Sequence, residues 1–287
     1  MIHVNPGVSL RHDPIAAEIP ILVDVSRSGR EYPCDFRSPA SFTDVHDNAS
    51  MYVEELWSGA PSVGATMLFA CFPNTYIDVN RGPLDIDENL IDGPWPVPLQ
   101  PTAITRRGLG LLKTVTRYGE PMHEKKLTVA EVQSRMRRYY EPYHAELAAI
   151  IARLYGRFGA VWQLSCHCMS AVGAPTHVDP GQPRTDICLG DLDGTTASPA
   201  FMDFLKKSFE GVGFSVSVNQ PYKGGELTRR YGDPQRGIHS VLIEINKKLF
   251  MDVKTFKKTD AFSRVQGNLT RVLQAVAESV KDEAAAV

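Results

Sequence analysis

The 287-residue sequence predicts an α/β fold with one domain, in which helices flank a mostly parallel or mixed central sheet. Two observations support this prediction. Short apolar runs with the length of buried strands alternate along the chain with segments of helical periodicity. No repeat, low-complexity tract or linker interrupts this alternation. Strands separated by helices are typical of layered α/β folds, in which ligand-binding loops follow the strand ends.

Five segments have the pattern of strands. Their apolar residues are nearly continuous, as in strands that are covered on both faces. The predicted strands are 20–25, 65–72, 160–166, 214–218 and 240–245.

Four segments have the pattern of helices: 51–57, 128–158, 199–211 and 262–280. In the longest, Thr128 and Glu131 have the spacing of a capping box, which indicates where the helix begins. Pro142 lies inside the same segment and predicts a kink or a division there.

Composition excludes several classes of protein. The net charge is −2 and basic and acidic residues are interspersed, so no basic patch indicates a nucleic-acid partner. No apolar run approaches the roughly 18 residues that a membrane span requires. The five cysteines are an odd number, which argues against a disulfide framework, and the first residues do not resemble a signal peptide. A reduced, cytoplasmic protein is the expectation.

Six sequence blocks carry the strongest functional signal. In chain order they are VDVSRSGREYP, GATMLFACFPNTYIDVNR, YYEPYHAEL, LSCHCMS, NQPYKGGELTRRYGDP and HSVLIEINKKLFMD. In this order and spacing, over about 20–252, they resemble the motifs of the N-formylglutamate amidohydrolase family. The resemblance implies a carboxypeptidase-like (phosphorylase/hydrolase-like) α/β fold. It also implies hydrolysis of the C–N amide bond of a small carboxylated N-acyl amino acid.

The resemblance further implies a zinc cofactor, held by three protein ligands with a fourth position open to water. Only one of these ligands carries over, as His167. Arg27 stands where the family has its first histidine, and Ser50 stands where the acidic ligand is expected. An arginine side chain cannot be deprotonated in a protein and cannot ligate zinc. The expectation is a degenerate site in which zinc is absent or weakly bound, although a three-residue shift would put Asp47 at the acidic position.

A rebuilt metal site is the alternative. Cys166 and Cys168 flank His167, and further candidates are His46, Asp47, His177 and Asp179. In an extended strand, however, alternate side chains point to opposite faces, so the two cysteines and His167 do not converge. Cys166 is then a core residue and His46 a surface histidine.

Glu244 and His239 occupy the positions of the family's late glutamate and histidine, which makes both candidate catalytic residues. The resemblance implies a general base at Glu244. An unpaired carboxylate in the apolar strand VLIEIN is costly, which favours either this role or an ion pair, with Arg27 as the candidate partner. For His239, which follows a turn at Gly237, helix capping and a role in the pocket both stay open.

Five residues are candidate substrate contacts. Arginine suits a carboxylate, whether that of a substrate or of a structural aspartate. Glycine pairs often mark nothing more than a turn, so a contact from that loop and a purely structural turn both stay open. The candidates are Arg27, Arg81, Asn219, Gly225 and Arg229.

Three functions follow. The first is an amidohydrolase of altered or reduced activity that uses His167, Glu244 and some compensating ligand. The second is a non-catalytic or repurposed protein that binds a carboxylated molecule against Arg27 and Arg81. The third is an enzyme with Cys168 as a nucleophile beside His167, and it is the weakest because adjacent residues rarely orient as a nucleophile–base pair.

Overall fold

A mixed eight-stranded sheet forms the centre of the molecule in the computed structural model, which describes residues 2–285. Its order is β1-β2-β4-β3-β7-β10-β8-β9, and β5 and β6 form a separate pair. The strands are β1 (Ile2–Asn5), β2 (Ser9–His12), β3 (Ile21–Val25), β4 (Thr66–Ala70), β5 (Ile91–Asp92), β6 (Leu127–Thr128), β7 (Val161–Met169), β8 (Ile187–Gly190), β9 (Val216–Val218) and β10 (Ile238–Asn246). The four central strands, β4, β3, β7 and β10, are parallel, whereas β2 and β8 pair with them in the antiparallel sense.

Helices cover both faces of this sheet. They are α1 (Phe42–His46), α2 (Val53–Leu56), α3 (Val129–Arg135), α4 (Glu141–Phe158), α5 (Pro199–Gly211), α6 (Glu226–Tyr231) and α7 (Phe262–Ala285). On one face α2, α5 and α7 pack together over a core that includes Trp57, Phe209 and Leu269. On the other face α4 contributes Tyr143 and Leu147 to a second core. The predicted α/β fold with a mixed, helix-flanked sheet is confirmed.

The five predicted strands all form, and the sheet is wider than predicted. The hairpin of β1 and β2 adds an antiparallel edge beside β4, and β8 inserts between β10 and β9. These strands are short or half-exposed, so they lack the continuous apolar run that reveals a central strand.

Two helices differ from their predicted bounds for identifiable reasons. The segment 51–57 is helical only from Val53, because Tyr52 has a φ of 67° and so lies in the left-handed region. The capping box at Thr128 and Glu131 is present. The helix that it opens changes to a π-helical turn at Met136–Tyr140 before α4. Pro142 comes directly after this π-helical turn, at the start of α4, so the predicted division of the segment lies just before the proline.

The loop after β3 is fixed by a close backbone contact. A Cβ atom on Gly29 would lie 2.1 Å from the backbone oxygen of Phe72, so only glycine fits at this crossing. The loop after β3 therefore lies directly against the loop after β4. This contact positions Arg27 at the carboxyl ends of the parallel strands.

Candidate functional site

A cleft of about 390 Å³ opens at the carboxyl ends of β3, β7 and β10. It is lined by many more basic than acidic side chains. The acidic residues on its surface are Asp47 and Glu244, and the basic ones are Arg27, Arg81, Arg107, Lys113, Arg117, Lys223, Arg229 and Lys247. Such a surface attracts anions.

Arg27 and Asp78 form a bidentate ion pair at the floor of the cleft. Arg27 Nε donates to Asp78 Oδ1 at 3.0 Å, and Nη2 donates to Oδ2 at 2.7 Å. Burial alone would raise the pKa of the Asp78 carboxyl, but the charges of Arg27 and Arg81 outweigh it and lower that pKa to about 2. Arg27 thus pairs with Asp78 rather than with Glu244, the partner considered from the sequence.

Glu244 lines the same cleft without a partner for one of its oxygens. The residue is 5% exposed, and Oε2 has no hydrogen bond among the residues described. In the sheet it lies between His167 of β7 and Cys188 of β8. Burial raises the pKa of its carboxyl to about 7, while the positive charges of Arg27 and Arg184 oppose this shift. A carboxyl group with this pKa can accept and release a proton near neutral pH.

The three positions at which the sequence resemblance predicts zinc ligands, Arg27, Ser50 and His167, lie close together. The amide of Ser50 donates to the backbone oxygen of Arg27 at 2.8 Å, and the amide of Cys168 donates to Ser50 Oγ at 3.2 Å. His167 is fully buried, its Nε2 lies 3.1 Å from Ser165 Oγ, and its Nδ1 has no partner within the described structure. Burial, with the nearby charge of Arg27, keeps the pKa of His167 well below its ordinary value.

These side chains do not fit the zinc ion of the family. A guanidinium, a hydroxyl and one imidazole supply a single nitrogen donor of the kind that zinc binds. Within residues 2–281, no group of three or more His, Cys, Asp and Glu side chains is arranged to hold a metal ion. The guanidinium of Arg27 also carries a positive charge, which would oppose a divalent cation at this position.

The residues considered for a rebuilt metal site, three of which line the cleft, form no group of three potential ligands within the described residues. Cys166 packs in the core beneath β7, and Cys168 lies at the cleft. Arg184 donates to His177 Nδ1 at 2.9 Å and pairs with the carboxylate of Asp179. His46 stacks on Phe42.

Cys168 lacks the environment of a nucleophilic thiol. Burial raises the pKa of its thiol to about 11, and Glu244 also disfavours the thiolate, while Lys247 opposes the shift. The thiol is therefore protonated at neutral pH, and a protonated thiol is a poor nucleophile.

Arg81 reaches the cleft, but it bonds to backbone rather than to carboxylates. Its Nε donates to the Leu109 oxygen at 2.9 Å and its Nη1 to the Asn80 oxygen at 3.0 Å. Burial, with the neighbouring charge of Arg27, lowers its pKa to about 10. The substrate-contact interpretation of Arg81 is compatible with this position, because no structural aspartate forms a salt bridge with it among the described residues.

The residues of the glycine-rich turn have different surroundings. Gly225 packs against Asn80, where a Cβ atom would lie 2.3 Å from the Asn80 side-chain oxygen, so glycine is needed for close approach. Asn219 donates to Asp191 Oδ1 at 2.7 Å and is not part of the cleft surface. Arg229 lies on the rim, where its side chain is 62% exposed and 3.7 Å from Glu226.

His239 lies at the opposite end of β10 from Glu244. Its ring stacks on Trp162 and also contacts Phe201, and its Nδ1 accepts the amide hydrogen of Ser198, the residue that caps α5. This position corresponds to the capping alternative. We therefore do not include His239 in the chemistry of the cleft, because it is not among the residues that line it.

Several cleft residues were not predicted from the sequence. Arg117 donates to Asp47 Oδ2 at 3.0 Å, and Lys247 lies 3.1 Å from Asp47 Oδ1, so one carboxylate serves two cations. Lys113 and Arg107 belong to the segment 104–117, whose irregular backbone forms one wall of the cleft. Lys247 could have been predicted as a cleft residue, because it directly follows the strand that carries Glu244.

Comparison with known proteins identifies the relatives of this chain. The sequence model described as N-formylglutamate amidohydrolase matches residues 19–251, close to the span of 20–252 expected from the motifs. The chain belongs to the N-formylglutamate amidohydrolase family. The N-formylglutamate deformylases of Pseudomonas putida and Pseudomonas aeruginosa are 28% and 29% identical to it, over 70% of this chain and 70% of each relative.

Solved structures agree with this placement. The N-formylglutamate amidohydrolase of Ralstonia eutropha JMP134 is 37% identical, with a TM-score of 0.90 over 96% of this chain and 99% of that one. A gene product of Agrobacterium tumefaciens shares the fold at 18% identity, with a TM-score of 0.67 and 96% of each chain covered. In the part of the chain that the structure describes, no helix has the length and apolar character needed to cross a bilayer.

Proposed function

We propose that this chain hydrolyses the amide bond of a small, carboxylated N-acyl amino acid, and that it does so without the family's zinc ion. The observation that carries the proposal is Glu244. Its carboxyl group faces a strongly basic cleft, has one oxygen without a partner among the described residues, and has a pKa of about 7. Relatives named N-formylglutamate deformylase and amidohydrolase support the substrate class.

In this proposal Glu244 acts as a general base. It takes a proton from water as the water oxygen attacks the acyl carbon, and the carbonyl oxygen becomes negatively charged. Glu244 then returns the proton to the departing nitrogen as the C–N bond breaks. The products are a carboxylic acid and a free amino acid. General acid–base catalysis of this kind contributes about 10²–10⁴-fold to rate.

Arg27 is the proposed stabiliser of the charge on the carbonyl oxygen. Its ion pair with Asp78 uses Nε and Nη2, which leaves Nη1 for another acceptor. A fixed cation inside a cleft stabilises a developing oxyanion more strongly than the same cation in water. Asp78 also holds the guanidinium in place, since the pair is bidentate.

Binding without turnover is the second candidate function. The side chains at the three predicted zinc-ligand positions favour it. Because Arg27 and Ser50 do not ligate zinc, they leave the cleft without the metal-bound water that the family uses. In that case the cleft retains the carboxylated ligand but not the hydrolysis.

Turnover of a panel of N-formyl and N-acetyl amino acids, with elemental analysis of the same preparation, tests the proposal. Wild-type protein is expected to release free amino acid before and after treatment with a chelator. Glu244→Gln is expected to lower the rate at least about 100-fold. Glu210→Gln, a matched change on the exposed surface of α5, is the control and is expected to have no effect.

Two results would contradict the proposal. Stoichiometric zinc whose removal abolishes turnover would show that a metal still acts in this cleft. Tight binding of N-acyl amino acids with no turnover of any of them would favour the second candidate.

A further inference from the structure

Lys113 is a buried cation without a partner. The residue is 6% exposed and lines the cleft from the segment 104–117. Its Nζ has no hydrogen bond or ion pair to any described residue, and the groups that act on its charge act at longer range. An ammonium group that is largely shielded from water is unfavourable unless a counter-charge contacts it.

The charges that surround Lys113 are mostly of its own sign. Arg27, Arg81 and Arg117 oppose its protonation. The strongest charge that favours protonation is that of Asp78, whose two oxygens already accept from Arg27. Its own charge is also felt by His177 across the cleft. Burial is the main reason that the pKa of Lys113 falls to about 7.

Two arginines that line the same cleft are also short of acceptors. Arg107 belongs to the same segment, and its Nε is buried with no hydrogen-bond partner in the described part of the chain. Arg81 bonds only to backbone oxygens. Elsewhere in the cleft Arg117 and Lys247 share the Asp47 carboxylate, a direct counter-charge that Lys113, Arg81 and Arg107 lack among the described residues.

We propose that Lys113, with Arg81 and Arg107, forms a subsite that binds an anionic group of the ligand lying away from the amide, a carboxylate or a phosphate. The ligand then supplies the counter-charge that the protein does not. This inference rests on the cleft proposed above as the substrate site, but not on the hydrolysis. It makes Lys113 a determinant of specificity for ligands with a second negative group.

Titration calorimetry with simple anions tests the subsite without any need for turnover. The probes are glutarate, butyrate and inorganic phosphate, each added to wild-type protein and to Lys113→Met, which keeps the length of the side chain. Glutarate is expected to bind wild type at least about tenfold more tightly than butyrate, as one charge-assisted contact implies. Lys113→Met is expected to lose most of this preference, since only Arg81 and Arg107 remain to contact the second carboxylate.

Lys223→Met is the matched control, because Lys223 lies on the rim and pairs with the exposed Asp193. It is expected to keep the preference for glutarate. If phosphate binds wild type more tightly than glutarate does, and this difference is lost in Lys113→Met, the better occupant is a phosphorylated ligand. A preference for glutarate that persists in Lys113→Met, or no binding of glutarate or phosphate to wild type, would overturn the proposal.

Proton uptake provides a second measurement. At pH 8 an unprotonated Lys113 must gain a proton when an anion binds, so the binding heat is expected to vary between buffers of different ionisation enthalpy. Glu244 can also gain a proton, so the measurement is repeated in Glu244→Gln, where the uptake due to Lys113 is expected to remain. Uptake that disappears in Glu244→Gln but persists in Lys113→Met would assign it to Glu244 and contradict the proposal.

These experiments separate the two proposals. Loss of the glutarate preference in Lys113→Met, in a protein that hydrolyses nothing, leaves the subsite standing and removes only the hydrolysis. If wild-type protein hydrolyses N-acyl amino acids and Lys113→Met keeps the preference for glutarate, the hydrolysis stands and the subsite is removed. Thermal unfolding of Lys113→Met checks that it folds, and a midpoint at or above that of wild type is expected because an unpaired buried charge has been removed.

Discussion

Arg27 and Lys113 are two buried cations of the same cleft, and they differ in what neutralises them. Arg27 makes two hydrogen bonds with a fully buried carboxylate. Lys113 is the more deeply buried of the two, yet no described carboxylate contacts it. The pKa values reflect the difference, since that of Arg27 is raised while that of Lys113 falls to about 7.

The comparison separates two uses of charge in one site. At the floor of the cleft the charges of Arg27 and Asp78 neutralise each other without a ligand. In the wall formed by the segment 104–117 the positive charge has no protein counter-charge, which favours the binding of an anion. Stability therefore depends on the floor, and we expect ligand preference to depend on the wall.

The largest expected effect is on the floor. Asp78→Asn leaves the Arg27 guanidinium buried without its counter-charge, and this is expected to lower the free energy of unfolding by about 3–5 kcal/mol. Urea denaturation measures the change. Asp203→Asn removes a carboxylate from an exposed pair with Lys207 and is expected to cost less than about 0.5 kcal/mol.

A double variant makes the comparison sharper. Arg27→Met combined with Asp78→Asn removes both charges, so it is expected to be more stable than Asp78→Asn alone. A double variant no more stable than Asp78→Asn would mean that the aspartate acts through its other contact, the amide of Asn80.

Glu244, like Lys113, is a buried ionisable residue without an ion-pair partner, but its charge is negative. The pKa of its carboxyl is raised from the ordinary 4.5 to about 7. Between these pH values the carboxyl is ionised in the unfolded chain but still protonated in the folded one, so the folded state loses stability as pH rises. Below about pH 4.5 the carboxyl is protonated in both states and makes no difference. Glu244→Gln is therefore expected to be more stable than wild type by up to about 3 kcal/mol at pH 8.

The pH dependence is the decisive part of this measurement. The gain in unfolding free energy of Glu244→Gln is expected to shrink steadily as pH falls from 7 to 4.5. A gain that is the same at pH 8 and pH 4.5 would show that packing, and not ionisation, is responsible.

The smallest expected effect lies outside the cleft. His239→Phe keeps a ring against Trp162 and Phe201 but loses the acceptor for the Ser198 amide, which is expected to cost about 1 kcal/mol of stability. Its kcat/KM is expected to equal that of wild type. A tenfold fall in kcat/KM would return His239 to the list of catalytic residues.

Much of the fold could be predicted from the sequence because its central strands are covered on both faces. The β3 segment, for example, is fully buried along its whole length, which leaves an unmistakable apolar run. The β1 and β2 hairpin could not be found in the same way, since β1 is exposed throughout. The helix expected at 51–57 was shortened by a left-handed residue, Tyr52, which no periodicity reveals.

The sequence motifs predicted which residues belong to the site, but they did not predict which residues contact one another. The motifs brought Arg27, Ser50 and Glu244 to one region, which the structure also places around the cleft. They could not show that Arg27 pairs with Asp78 or that His239 lies at the far end of its strand. Lys113 was missed because it lies in an irregular segment, where no repeating pattern relates a residue to its environment.

The crossing of Gly29 over the backbone of Phe72 has a consequence for how this site can change over time. The path of the loop after β3 is held by main-chain packing, in which the side chain at position 27 takes no part. Selection can therefore exchange the side chain at that position while the loop keeps its course. A protein built this way can alter its chemistry by single substitutions, whereas a change at Gly29 would disturb the architecture itself.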